Sequence, residues 1–176
     1  NGIALMSFNE SSTANSSALQ VARYFVEVAY LGTRYHGWQS QDNAHTVQEE
    51  IENTLKTLLR KEIKITGSGR TDTGVHARDF VAHFDSKDED LELNARQWIY
   101  KFNTVLPGSV AVQGLKKVPA SAHARFDAEK RTYYYYISKR KDPFRDPFTW
   151  RMGERMELHV LFSNGVGDIT GATPAS

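Results

Sequence analysis

The sequence predicts an α+β domain of the ferredoxin-like, split βαβ type, with a mixed, mostly antiparallel sheet and its helices on one face. Three observations lead there. Period-2 and 3.6-residue apolar patterns alternate between Tyr24 and Val118 in the order strand, helix, strand, strand, helix, strand. Each helical run carries a single apolar stripe, so each has one face to bury. The punctuating residues, Thr46 before the first helix and Pro107-Gly108 after the second, stand where such elements begin and end.

Regular structure is expected from Tyr24, where Val26, Val28 and Tyr30 alternate on one face of a strand. The loop Leu31 to Gln41 follows, carrying Arg34, Tyr35, His36, Trp38 and two glutamines. Those side chains suit stacking on bases and hydrogen bonding to their edges, and Tyr35 and Trp38 equally suit a lid folded over the core. Thr46-Val47-Gln48-Glu49 reads as a capping box. The helix after it places Val47, Ile51, Leu55, Leu58 and Leu59 on one stripe. Acids lead it and bases close it near Arg60, as the helix dipole favours.

Ile63 to Thr66 reads as a short strand entering a Gly-rich stretch, and Asp79 to Phe84 as the strand leaving it. Phe80, Ala82 and Phe84 share one face of that strand, with Val81 and His83 on the other, which makes His83 a structural histidine rather than a ligand. An acidic loop precedes a second helix, capped at Asn94, with Ala95, Trp98, Ile99, Phe102 and Leu106 facing inward. Val110 and Val112 begin the next strand. After Pro119, residues Arg131 to Ile137 read as a tyrosine-rich strand, and Leu158 to Phe162 as a short one.

Composition narrows the function. In 176 residues there is no cysteine, which excludes disulfides, thiolate zinc sites and a cysteine nucleophile. No apolar run approaches the roughly 18 residues that a membrane span needs, so no membrane role is expected. The formal net charge is +1, but the charge is unevenly spread. Between His123 and Arg151 eight Lys and Arg face four acids, while Asp85, Asp88, Glu89, Asp90 and Glu92 cluster elsewhere. It is such local fields that attract a polyanion.

The stretch Gly67-Ser68-Gly69-Arg70-Thr71-Asp72-Thr73-Gly74-Val75-His76 is the strongest candidate for a site. Taken alone it is a turn or a site, since Gly, Asp and Thr serve both. The six histidines lack paired metal-ligand spacing, no serine sits in a G-x-S-x-G context, and the glycines form neither a dinucleotide fingerprint nor a P-loop. What remains is one carboxylate, Asp72. It is placed to act as nucleophile or base, with the Arg70 guanidinium holding it ionised by charge and hydrogen bonding.

Four motifs in register then carry a family resemblance. Gly69-Arg70-Thr71-Asp72-Thr73-Gly74-Val75-His76-Ala77 resembles the active-site motif of the tRNA pseudouridine synthase A (TruA) family, in which Ala is more usual at the place of Thr73 and Gln at that of Phe80. Tyr35-His36-Gly37-Trp38-Gln39-Ser40-Gln41 with Thr46-Val47-Gln48 agrees in order and spacing. So do Phe102-Asn103-Thr104-Val105-Leu106-Pro107, and His123-Ala124-Arg125-Phe126-Asp127-Ala128 leading to Arg131-Thr132-Tyr133-Tyr134-Tyr135. The likeness runs from Tyr24 to about Arg151.

The resemblance implies an enzyme that isomerises uridine to pseudouridine in the anticodon arm of tRNA, without metal or cofactor. It implies Asp72 as the catalytic aspartate, Arg70 as the arginine beside the flipped nucleotide, and Tyr133 as the tyrosine that meets the target base. A cytoplasmic homodimer is the family expectation. Residues 23–155 are expected to form the synthase-like domain, with a flexible tail at 1–22 and an unassigned tail at 156–176. Family members carry a second half that completes the cleft, and residues 156–176 match nothing expected of it. Two other readings stand beside the enzyme: an RNA-binding fragment of the same ancestry without catalysis, and a ferredoxin-like interaction domain with no RNA role.

Overall fold

Alternation of apolar and polar side chains from Ala22 to Tyr30 builds the strand on which the sheet is centred. A computed structural model of the protein describes residues 20–153. The expected N-terminal tail lies almost wholly outside the described residues, and the strand expected at Leu158 to Phe162 lies outside them too. The chain divides into two units, Asn1–Lys130 and Arg131–Ser176, and each is taken by itself.

In the first unit, β1 (Ala22–Tyr30) is followed by a 3-10 turn (Gly32–Arg34), α1 (Val47–Leu59), β2 (Thr66–Gly67), β3 (Ala77–Ser86), α2 (Asp90–Leu93), α3 (Ala95–Val105) and β4 (Val110–Val118). The strands lie in the order β2-β3-β1-β4, and every neighbouring pair is antiparallel. β1 is thus laddered on both sides, with Val28 opposite Phe80 on β3 and Val112 on β4. A bulge in β4 between Val112 and Gly114, opposite Val28 and Glu27 of β1, restores the inward set one residue late, so that Leu115 faces Val26.

The inward faces of these strands meet the apolar stripes of the helices in one core: Val26, Val28, Phe80, Ala82, Phe84 and Val112 with Ile51 and Leu55 of α1 and Trp98 and Phe102 of α3. Burying each side chain of this size stabilises the fold by roughly 1.5–3 kcal/mol. Thr46 caps α1 as expected, its hydroxyl accepting from the Glu49 amide at 3.3 Å, an interaction worth about 1 kcal/mol. Arg60 ends the helix in the left-handed region, with φ of 54°.

Several expectations needed correction. The strand expected at Ile63 to Thr66 forms at Thr66–Gly67 instead. The backbone of Ile65 is already engaged by α1, its amide donating to Glu52 Oε1 at 3.1 Å and its carbonyl accepting from Gln48 Nε2 at 3.0 Å. Part of the acidic loop is the one-turn helix α2, and Asn94 does not cap α3 with its side chain. That side chain is bonded to Asp90, which also accepts from Trp98 Nε1 at 2.8 Å.

Asn103 on α3 does for β4 what a neighbouring strand would do. Its amide nitrogen donates to the Val112 carbonyl at 2.8 Å, and its amide oxygen accepts from the Val112 N–H at 2.8 Å. This satisfies both backbone groups at one point of an edge strand and ties the helix to the sheet.

On the outward face His83 is buried, and its Nδ1 accepts from the Ala124 amide at 3.1 Å. The ring of His123 meets it edge-on at 4.5 Å, and the carbonyl of Ala122 accepts from Arg23 Nη1 at 2.9 Å. His83 is thus structural, as expected: it fastens the segment after β4 across the sheet.

In the second unit, the tyrosine-rich strand expected at Arg131 to Ile137 contracts to β5 (Ile137–Ser138), paired in parallel with β6 (Trp150–Arg151). Strand propensity makes a strand only where a ladder partner is present, and among the described residues pairing starts at Tyr136, whose carbonyl accepts from Trp150 N at 2.8 Å. Tyr134 and Tyr136 do share a side, as period 2 requires, and their rings stack at 6.4 Å.

Candidate active site

Asp72 sits on the loop between β2 and β3, and this loop is held from below by the loop between β1 and α1. Asp72 to Val75 form a reverse turn closed by the Val75 N–H on the Asp72 carbonyl at 3.2 Å. Gly74 takes the third position with φ of 82°, the positive value that a type II turn demands there. The Thr71 carbonyl accepts from Trp38 N at 3.3 Å, and the Gly74 N–H donates to the Tyr35 carbonyl at 3.3 Å. His76 Nδ1 accepts from the Gly32 N–H at 2.9 Å, tying the end of the loop to the 3-10 turn.

Two glycines let the loops touch. A Cβ on Gly32 would lie 2.0 Å from the Val75 carbonyl oxygen, and one on Gly37 would lie 2.2 Å from that of Thr71. Gly37 also has φ of 84°. Tyr35 and Trp38, which the sequence left open between base stacking and the core, are each 2% exposed. They belong to the core: Trp38 packs on Phe80 at 4.2 Å and on Tyr30 at 6.1 Å between ring centroids. Through Gly32, Tyr35, Gly37 and Trp38 this loop supports the Asp72 loop, while its Arg34 and His36 stay exposed.

Asp72 and Arg70 are both exposed. The ion pair expected between them is not formed, and neither side chain bonds another described residue. Water explains this, since an exposed pair is worth only about 0.2–1 kcal/mol and must offset the ordering of two side chains. Arg34 and His36 on the supporting loop and Arg78 on β3 are exposed as well, so cationic and imidazole groups stand on the segments flanking the carboxylate.

A shallow cleft of about 210 Å³ opens where β1 ends and β3 begins, lined by Tyr30, Leu31, Ala77, Arg78 and Ser109 among others. A larger one, of about 300 Å³, lies at the opposite end of the strands beside Ala22, Lys117 and Val118. Neither cleft is lined by Asp72 or Arg70, and Arg78 is the charged residue that the smaller one shares with the segments flanking the Asp72 loop. Among the described residues no group of three or more His, Asp or Glu is arranged to hold a metal ion, and no helix is long and apolar enough to cross a membrane.

Residues 27–127 match the family model described as tRNA pseudouridine synthase. The chain belongs to that family. A Bacteroides fragilis protein named tRNA pseudouridine synthase A is 46% identical over 143 residues, which cover 81% of this chain and 56% of the relative. Its namesake in Porphyromonas gingivalis is 44% identical over 80% of this chain and 56% of the relative. The one in Aquifex aeolicus is 36% identical over 78% and 57%. The chain therefore spans little more than half the length of these curated relatives.

Of the site residues read from the sequence, the tRNA pseudouridine synthase match contains Asp72 and Arg70, which share one loop, and ends before Tyr133. Tyr133 lies in the second unit and is 58% exposed. Gly32, Gly37, Tyr30 and His76 were not picked out as supports of Asp72. The available signal was the pair Gly32 and Gly37 in one short loop beside Tyr35 and Trp38, since such glycines mark close backbone approach.

Proposed function

We propose that the protein is a tRNA pseudouridine synthase that isomerises uridine in the anticodon arm, with Asp72 as its catalytic residue. The observation that carries this reading is the contrast at Asp72. Its carboxylate is exposed and unpartnered among the described residues, while both peptide groups flanking its Cα have their carbonyl oxygens hydrogen-bonded. A carboxylate that served the fold would be engaged by it.

The chemistry asks for no outside reagent. The N1–C1′ bond of uridine breaks and a C5–C1′ bond forms, while C5 loses a proton and N1 gains one, so atoms and electrons balance without metal or cofactor. Asp72 supplies the reacting oxygen, either as nucleophile or as base. The base must first leave its stack, at a cost of a few kcal/mol, and Arg70 fills the vacated space and steadies the nucleotide. Tyr133, by its place in the family motif, meets the target base. Arg34 and Arg78 give the polyanion its docking charge, and the exposed His36 ring adds a hydrogen-bonding group beside them. The fold reading behind this is the ferredoxin-like arrangement, supported by the strand order β2-β3-β1-β4 with antiparallel neighbours. A cytoplasmic homodimer completes the proposal.

The test is to incubate the protein with unmodified tRNA and map pseudouridine. New pseudouridine confined to the anticodon arm is the expected result. Because the chain spans about 56% of two relatives' length, RNA binding without catalysis is the second reading. Salt-dependent tRNA binding with no isomerisation would favour it.

A further inference from the structure

We infer that Tyr30 is a positioning residue for Asp72, acting through the hydroxyl of Thr71; this rests on the reading of Asp72 as the catalytic group. Tyr30 is the last residue of β1 and pairs with Ala77 of β3 on one side and Val110 of β4 on the other. Its backbone is therefore held in the middle of the sheet. The residue is 3% exposed, and its ring is gripped by Phe80, edge-on at 5.8 Å, and by Trp38 at 6.1 Å. A phenol so buried needs a partner for its hydroxyl, and Tyr30 Oη lies 2.9 Å from Thr71 Oγ1.

That contact is the side-chain link from the core to the residue just before Asp72. The peptide joining Thr71 to Asp72 is held at its oxygen by Trp38 N, and the peptide after Asp72 at its oxygen by Val75 N. The Thr71 hydroxyl adds a third constraint on the same few atoms, anchored at the end of the central strand of the sheet. The Asp72 side chain has no partner of its own among the described residues, so its position depends on its backbone. A reacting group displaced by about 1 Å can lose two orders of magnitude in rate, which is why a hydroxyl that never meets substrate matters to catalysis.

Tyr30→Phe removes the hydroxyl and keeps the ring in its packing. In the same full chain, amide hydrogen exchange at Trp38, Gly74 and Val75 is expected to quicken, with Val28 and Ala82 in the core strands unchanged. The rate of pseudouridine formation should fall about 10-fold in kcat, with KM for tRNA changed by less than about 2-fold. Thr71→Val should reproduce both effects, and the double variant should add nothing to either single one. Unaltered loop exchange in Tyr30→Phe, or losses that add in the double variant, would overturn the inference. Should the unsubstituted chain form no pseudouridine, the functional reading fails by itself, and the exchange comparison still decides whether Tyr30 sets the loop.

Discussion

Gly37 and Thr71 touch backbone to backbone, so closely that a methyl group on Gly37 would lie 2.2 Å from the Thr71 carbonyl oxygen. Gly37 also has φ of 84°, a conformation costing a side-chain-bearing residue about 1–3 kcal/mol. Gly37→Ala should therefore lower stability by about that amount in urea unfolding and push the Asp72 loop off its support. Pseudouridine formation should drop by about 100-fold or more while tRNA binding persists. Wild-type activity in Gly37→Ala would show that the contact does not set the site.

Asn103→Ala should leave the Val112 N–H and C=O without their side-chain partners on the β4 edge. Water can reach this edge once the exposed Asn103 side chain is gone, so the loss is the net contribution of two hydrogen bonds, about 0.5–1.5 kcal/mol each. The unfolding midpoint should fall accordingly, and Asn103→Gln, one methylene too long for the same fit, should not restore it. A midpoint unchanged in Asn103→Ala would mean the pair contributes nothing net.

His83 gives the fold a pH dependence with a definite sign. Burial first, then the charges of Arg23 and His123, hold its imidazole below the ordinary value of 6.5, with Asp85 opposing them. Between the folded and unfolded values the unfolded chain binds more protons, so the contribution of His83 is complete above about pH 6.5 and declines as the pH falls below it. Protonation would also remove the acceptor that Ala124 N uses. Urea midpoints measured from pH 8 to pH 5 should fall in that direction, and His83→Asn should flatten the part of the fall lying near the histidine range. Equal slopes in the two proteins would remove His83 from the explanation.

Much of this was legible in the sequence because local pattern decided it. The stripe Val47, Ile51, Leu55 and the Thr46 cap fix α1 without help from the rest of the chain. The alternation around Phe80 and Ala82 likewise assigns the faces of β3. What stayed hidden depends on partners distant in sequence. Ile65 is apolar and β-branched like a strand residue, yet Glu52 and Gln48 claim its backbone groups. Asn94 is a good cap by type, but Asp90 holds its side chain. Tyr35 and Trp38 suit either solvent-side stacking or the core, and only the approach of the Asp72 loop decides for the core. Asp72 is singled out by a local motif, whereas the groups that hold its loop come from residues some 35 to 40 positions earlier.

Arg34 sits on the 3-10 turn that abuts Val75 and bonds His76, with an exposed side chain. If it meets an RNA phosphate, Arg34→Ala should weaken tRNA binding and reduce the slope of log affinity against log salt by about 1. Arg34→Lys should keep most of the slope, since one point charge replaces another. A slope identical in Arg34→Ala and the unaltered protein would place the phosphate elsewhere.

The most direct test of the central claim is Asp72→Asn assayed by pseudouridine mapping on unmodified tRNA, beside the unaltered protein. The side chain is exposed and bonds no other described residue, so the substitution should leave unfolding and tRNA binding unchanged. The expected result is pseudouridine in the anticodon arm with the unaltered protein and none with Asp72→Asn. Full modification by Asp72→Asn, or none by the unaltered protein, would contradict the assignment of Asp72 as the catalytic residue of a tRNA pseudouridine synthase.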